Sequence, residues 1–142
     1  MKEAINPSSL PAPPGYSQLV RVNGGTTVHI AGQVSWDREG NLVGADDFEA
    51  QTRQVFSNLT AALAAVGADL SDLVRIGIYV VDHDPAKLET IRTVRDELFA
   101  GLTPPASTLL GVERLAIPGL MIEVDGIAVL SDQSGGSVDG HS

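Results

Sequence analysis

Cysteine is absent from the 142 residues. That excludes disulfides, thiolate metal sites and a cysteine nucleophile. Basic residues are scarce: nine Lys and Arg stand against eighteen Asp and Glu, for a formal net charge of −9. Nucleic-acid binding needs a basic patch to neutralise phosphates, and the basic residues here are few and scattered. Neither an RNA or DNA partner nor an anionic membrane surface is expected. Aromatic residues are only 4% of the chain, so the core must be built from Ala, Val, Leu and Ile. No apolar run is long enough to span a bilayer. The opening Met1-Lys2-Glu3-Ala4 leads into polar, proline-rich sequence without an apolar leader, so no signal peptide is read and the cytoplasm is the expected location.

What is present describes one domain of moderate size. Apolar residues make up 43% and charged residues 19%, a balance that suits a folded chain with a real core. Residues 1–130 read as one α+β domain. Residues 1–15 read as an extended arm, because Pro7, Pro11, Pro13 and Pro14 exclude regular helix and central strand. Residues 131–142, rich in Ser, Gly and Asp, read as a disordered tail.

Within the domain, Gln18–Val22 and Thr26–Val34 are β-like, and Asn23-Gly24-Gly25 between them predicts a hairpin. A second turn is expected at Asp37–Asn41. A helix follows, opened by Asp46 with Glu49 three residues later. Its apolar face is Phe48, Thr52, Val55, Phe56, Leu59, Leu63 and Val66, and Gly67 stops it. Leu73–Val81 alternates as a strand. Asp84-Pro85 caps a second helix whose face is Leu88, Ile91, Val94 and Leu98 and which ends at Gly101. Strands over Ser107–Val112 and Leu120–Leu130 close the domain. The order is ββαβαββ, with both helices on one face of a mixed sheet. The last strand is apolar on both faces, so the second sheet face also needs a cover. A partner subunit is the simplest cover.

Several segments also match a family pattern. They are Pro14-Gly15-Tyr16-Ser17-Gln18, Ile30-Ala31-Gly32-Gln33, Gln51 to Leu59, Tyr79-Val80-Val81-Asp82, Pro104-Pro105-Ala106, and Ile122 to Val129 with Glu123-Val124-Asp125-Gly126 inside it. Together they resemble the Rid (reactive intermediate deaminase, YjgF-type) family over about residues 6–129. The resemblance implies a chorismate-mutase-like fold and a homotrimer whose sheets form a central barrel. It implies small-molecule clefts between subunits. Active relatives there hydrolyse 2-imino or 2-enamino acids to 2-oxo acids and ammonia, with no metal or organic cofactor. Tyr16 matches the tyrosine that lines the cleft, and Glu123 the glutamate that holds or activates water. Where the family carries a substrate-binding arginine after Pro-Ala, this chain has Ser107, followed by Thr108.

An arginine grips a carboxylate with two parallel charged bonds; serine offers one neutral donor. Losing such a clamp in a partly buried cleft costs roughly 2–5 kcal/mol of binding, or tens- to thousands-fold. Weak or absent turnover of 2-imino acids is therefore expected. Arg92 and Arg95, read as solvated on the second helix, and Arg114, an ordinary family position, are minor candidates for compensation. Blander readings stand beside these. Glu123 can pair with an arginine inside a barrel, Tyr16 can pack the arm, and Ser107 can be a plain strand residue. His29 and His83 lack metal-ligand spacing, and no nucleophile elbow is present. Two functions remain in play: a Rid-like hydrolase with altered substrate choice, using Glu123, Tyr16, Ser107 and Thr108, or a non-catalytic module that binds a small metabolite in the same cleft. An RNA-cleaving activity is the weakest reading, given the acidic balance.

Overall fold

A computed structural model describes residues 2–132. Its elements are β1 (Lys2–Ile5), β2 (Leu19–Val22), β3 (Thr26–Gln33), α1 (Phe48–Ala64), a 3-10 turn (Leu70–Asp72), β4 (Leu73–Val81), α2 (Pro85–Leu98), β5 (Ala106–Val112) and β6 (Ile122–Leu130). The expected ββαβαββ order holds from β2 to β6. The two helices and a mixed sheet give the α+β class.

The main sheet has the order β3-β6-β4-β5. β6 lies antiparallel to both β3 and β4, and β4 lies parallel to β5. The β4–α2–β5 unit is thus a crossover with its helix between parallel strands. Side chains alternate across each strand. Ile76, Ile78 and Val80 of β4, with Ile122, Val124 and Ala128 of β6, form the helix-covered face and are buried. Val55, Phe56, Leu59 and Leu63 from α1, and Ile91 and Val94 from α2, complete that core. Phe56 meets Phe99 edge to face, with centroids 6.5 Å apart.

Local signals explain the helix ends. Asp84 caps α2 by accepting from the Lys87 N–H at 2.8 Å, with Pro85 in the first turn. For α1 the cap is Asp47, one residue later than expected; its carboxylate accepts from the Ala50 N–H. Asp46 instead takes a left-handed conformation, φ 57°, and turns the chain into the cap.

Three expectations about the elements are corrected. β2 and β3 do not form a hairpin: β2 pairs with β1 in a separate two-stranded sheet, and β3 pairs with β6. Gly24 and Gly25 do turn the chain, with φ of 72° and 89°, but β6 is the longer and more apolar partner for β3. The arm is not extended throughout residues 1–15. The four residues Lys2–Ile5 precede the first proline, keep their N–H donors and pair as β1. Finally, Val66 and Leu98 are exposed, at 46% and 38%, because each sits at or past the end of its helix. Gln51, Arg95 and Phe99 are buried in addition to the expected faces. The tail reading lies outside the described residues from 133 onward.

Buried Gln51 has a structural task. Its amide donates to the Gly44 and Gly119 carbonyls, and its side-chain oxygen accepts from the Met121 N–H. One side chain thereby ties the entry of α1 to the entry of β6, where Glu123 stands.

Candidate functional site

Among the described residues, nothing covers the second face of the main sheet as the helices cover the first. That second face carries Glu123, Asp125, Ile127 and Val129 from β6, Arg75, Gly77 and Tyr79 from β4, and Thr108 and Leu110 from β5. Register fixes these neighbours: Tyr79 lies opposite Glu123, Gly77 opposite Asp125 and opposite Thr108.

Glu123 is half-buried. Its carboxyl lies directly over Gly32, where a Cβ would collide with it. A glycine there leaves room for the acid. Burial holds the Glu123 carboxyl above the usual carboxylate range, and the neighbouring Asp125 charge pushes the same way. Such an acid is closer to a general acid or base at neutral pH than an ordinary surface glutamate.

Asp125 is tied down next to it. It accepts from the Gly77 N–H at 3.0 Å and from the Tyr79 hydroxyl at 3.1 Å. That hydrogen bond, with burial, raises the Tyr79 phenol above its ordinary value, so it keeps its proton and donates. Thr108 accepts from the Arg75 guanidinium at 3.3 Å.

Tyr16 and Ser107 lie elsewhere. Ser107 is opposite Ile76 and so points to the helix-covered side, at the β5 edge. Thr108, its neighbour, points to the other face. The arm runs along the same edge. The Ser17 N–H donates to Pro105 O at 3.0 Å, the Ser17 hydroxyl to Pro104 O, and Ser17 bridges Ala106 in parallel. Half-buried Tyr16 is thereby held beside Pro105 and Ala106. One chain thus brings Tyr16 towards Ser107 and brings Glu123 next to Gly32, Tyr79 and Asp125. Ser107 and Glu123 sit on opposite faces of the sheet, separated by β4.

Arginine placement differs from expectation. Arg95 is not solvated: it is 8% exposed. Its guanidinium donates to the Pro14 carbonyl at 3.1 Å and packs where a Gly15 side chain would stand. Its Nε has no hydrogen-bond partner among the described residues. Arg75 is the arginine on the Glu123 face, and sequence reasoning passed over it as one more alternating strand residue. Its exposed position beside Thr108 follows from the β4–β5 register, which no local pattern reveals. Among the described residues no cluster of His, Asp and Glu is arranged to hold a metal ion, and no helix is long and apolar enough to cross a membrane.

Comparison with known proteins identifies the family. A 35%-identical RutC family protein of Pyrococcus horikoshii aligns over 130 residues, covering 90% of this chain and 98% of its own. A protein of Dermatophagoides farinae named 2-iminobutanoate/2-iminopropanoate deaminase is 31% identical, with 91% and 97% covered. Among solved structures, a Rid-family protein of unknown function from Yersinia pestis superposes with a TM-score of 0.87 at 42% identity, covering 91% of this chain and 98% of that one. The family model described as endoribonuclease L-PSP matches residues 7–130. The chain therefore belongs to the Rid (YjgF, endoribonuclease L-PSP) family.

Proposed function

We propose that this protein is a Rid-type hydrolase of small imines or enamines, releasing ammonia, with a cleft assembled between copies of the chain in a homotrimer. The observation that carries the reading is Glu123. It is a half-buried carboxyl, raised by burial and by Asp125, laid over a glycine that leaves space beside it. In the proposed reaction Glu123 holds a water and takes its proton as the oxygen attacks the C=N carbon. The nitrogen collects protons and leaves as ammonia, and a carbonyl remains. All of this is acid–base chemistry, and no cofactor enters it.

The separation of Tyr16 and Ser107 from Glu123 supports a shared cleft. Two half-sites on opposite faces of one sheet meet when the β5 edge of one copy approaches the β3–β6 side of the next. Tyr16 and Ser107 then face the substrate from one copy, and Glu123 from its neighbour. Thr108, on the Glu123 face, contributes through Arg75 rather than beside Ser107. The relative named as an iminobutanoate and iminopropanoate deaminase supports the reaction class. Ser107 in place of an arginine argues against anionic 2-imino acids as best substrates. The proposed site of action is the cytoplasm, in keeping with the polar, proline-rich start of the sequence. The net charge of −9 weighs against the endoribonuclease description of the family model, since nucleic-acid binding needs basic residues to neutralise phosphates.

Ammonia release from a panel of neutral imines, enamines and 2-imino acids tests the proposal, with Glu123→Ala as control. We expect turnover of neutral compounds to exceed that of 2-imino acids, and a loss of about 10²-fold or more in the variant. Saturable binding of panel members without ammonia release would instead make the protein a metabolite-binding module.

A further inference from the structure

Arg95 stands on α2, and a single chain already buries it to 8% exposure. Burial pulls its pKa below the ordinary arginine value; the Asp96 charge opposes the shift and the Arg92 charge adds to it. In return the guanidinium makes one hydrogen bond among the described residues, to the Pro14 carbonyl at 3.1 Å. An apolar side chain of similar volume fills such a place with less penalty. Stability alone therefore does not account for a cation here.

What the bond does is local to the arm. The Gly15 N–H donates back to the Pro13 carbonyl at 3.1 Å, closing a tight turn around Pro14. The guanidinium lies against that turn: a Cβ on Gly15 would stand 2.4 Å from one terminal nitrogen and 3.0 Å from the central carbon. Gly15 has a φ of 92°, which glycine alone adopts without strain. On the other side of Tyr16, Ser17 is bonded to the Pro104 and Pro105 carbonyls. Tyr16 thus stands between two anchors, Arg95 and the entry to β5. Its hydroxyl makes no hydrogen bond among the described residues, so the anchored backbone sets where the ring stands.

We propose that Arg95 is a positioning residue: by gripping the Pro13–Gly15 turn, its guanidinium fixes where Tyr16 enters the cleft. That Tyr16 meets substrate there rests on the proposed hydrolase reading; that Arg95 places Tyr16 does not. A lysine can donate one bond to the Pro14 carbonyl but has no flat fork to lie against Gly15.

Fluorine NMR of the full-length protein labelled with meta-fluorotyrosine tests the placement. The chain has two tyrosines, Tyr16 and Tyr79, and Tyr16→Phe assigns their lines. Arg95→Met should shift and broaden the Tyr16 line and leave the Tyr79 line in place, with Arg95→Lys falling between. Circular dichroism checks that each variant is folded. Steady-state kinetics on the preferred imine test the consequence. Arg95→Met should raise KM by about ten-fold with kcat changed less, and should leave the pH dependence set by Glu123 as it was. In a Tyr16→Ala background the same substitution should add less than about two-fold, because both changes remove one contact. An unmoved Tyr16 line in folded Arg95→Met overturns the proposal, and so does a KM effect of undiminished size in the absence of Tyr16. Should no panel compound be hydrolysed, the hydrolase reading fails, and the fluorine line alone decides whether Arg95 places Tyr16.

Discussion

Glu123 carries a stability cost that a titration can expose. Its folded-state pKa lies above the ordinary value, so the folded protein holds that proton more tightly than the unfolded chain. The stabilising contribution of the protonated acid is fully present below the unfolded pKa and is lost as pH rises through the raised one. Glu123→Gln removes the charge at every pH. It should therefore raise Tm relative to the wild type at neutral pH, and the difference should shrink towards zero in acid. Thermal melts across pH check this; a constant difference would mean that the raised acid is not its cause. Arg95 makes a second prediction at this scale. A buried cation with no salt bridge among the described residues contributes little net stability, yet this one holds the Pro14 carbonyl of the arm. Arg95→Met should leave Tm nearly unchanged or higher, while the Ser17 amide, now bonded to Pro105, exchanges its hydrogen faster. Arg75 is not legible as a site residue in the sequence, Gly32 stands there only inside a family motif, and Arg95 only as a solvated candidate for compensation. Each owes its place to a neighbour far along the chain: Thr108, Glu123 and Pro14. Glu123 and Tyr16 were legible only through the family motifs around them.

Among the elements, the parts with strong local signals could be read closely. β4 runs over Leu73–Val81 as expected, because β-branched residues alternate cleanly and Asp84-Pro85 ends the segment. The β2–β3 hairpin was misread because turn chemistry is local and strand pairing is not. Two adjacent glycines turn the chain, and the partner is then chosen by apolar surface a hundred residues away. β1 was missed because four residues ahead of a proline-rich stretch carry almost no pattern. The helix faces allow a quantitative check. Phe56 is fully buried and touches Phe99, so Phe56→Ala should cost about 3–5 kcal/mol. Asp84→Ala removes one cap and should cost about 1 kcal/mol. Chemical denaturation measures both, and equal effects would contradict the layered core described here.

For the whole molecule, the decisive feature is the uncovered sheet face. Leu110 on it is 50% exposed, and Ile127 and Val129 stand beside the charged groups. The expectation of a partner came from the two-faced apolar pattern of the last strand, and that alternation is what the structure displays. The number of copies was legible only through the family. Light scattering should find a trimer, and Leu110→Arg, which places a charge on that face, should shift it to smaller species. A trimer unaffected by this change would mean that the copies meet elsewhere.

If each cleft is built from two copies of the chain, mixing two differently damaged variants should restore it. On the proposed cleft, Glu123→Ala should disable one half of each site, and a Tyr16→Ala, Ser107→Asp variant the other half. Each alone should fail to release ammonia from the preferred imine. Refolded together in equal amounts, random trimers join one intact half from each parent in about a quarter of the clefts. Recovery of about a quarter of wild-type turnover is the predicted result. Mixed trimers with no recovered turnover would contradict the claim, since a site contained within one chain cannot be mended by a neighbour.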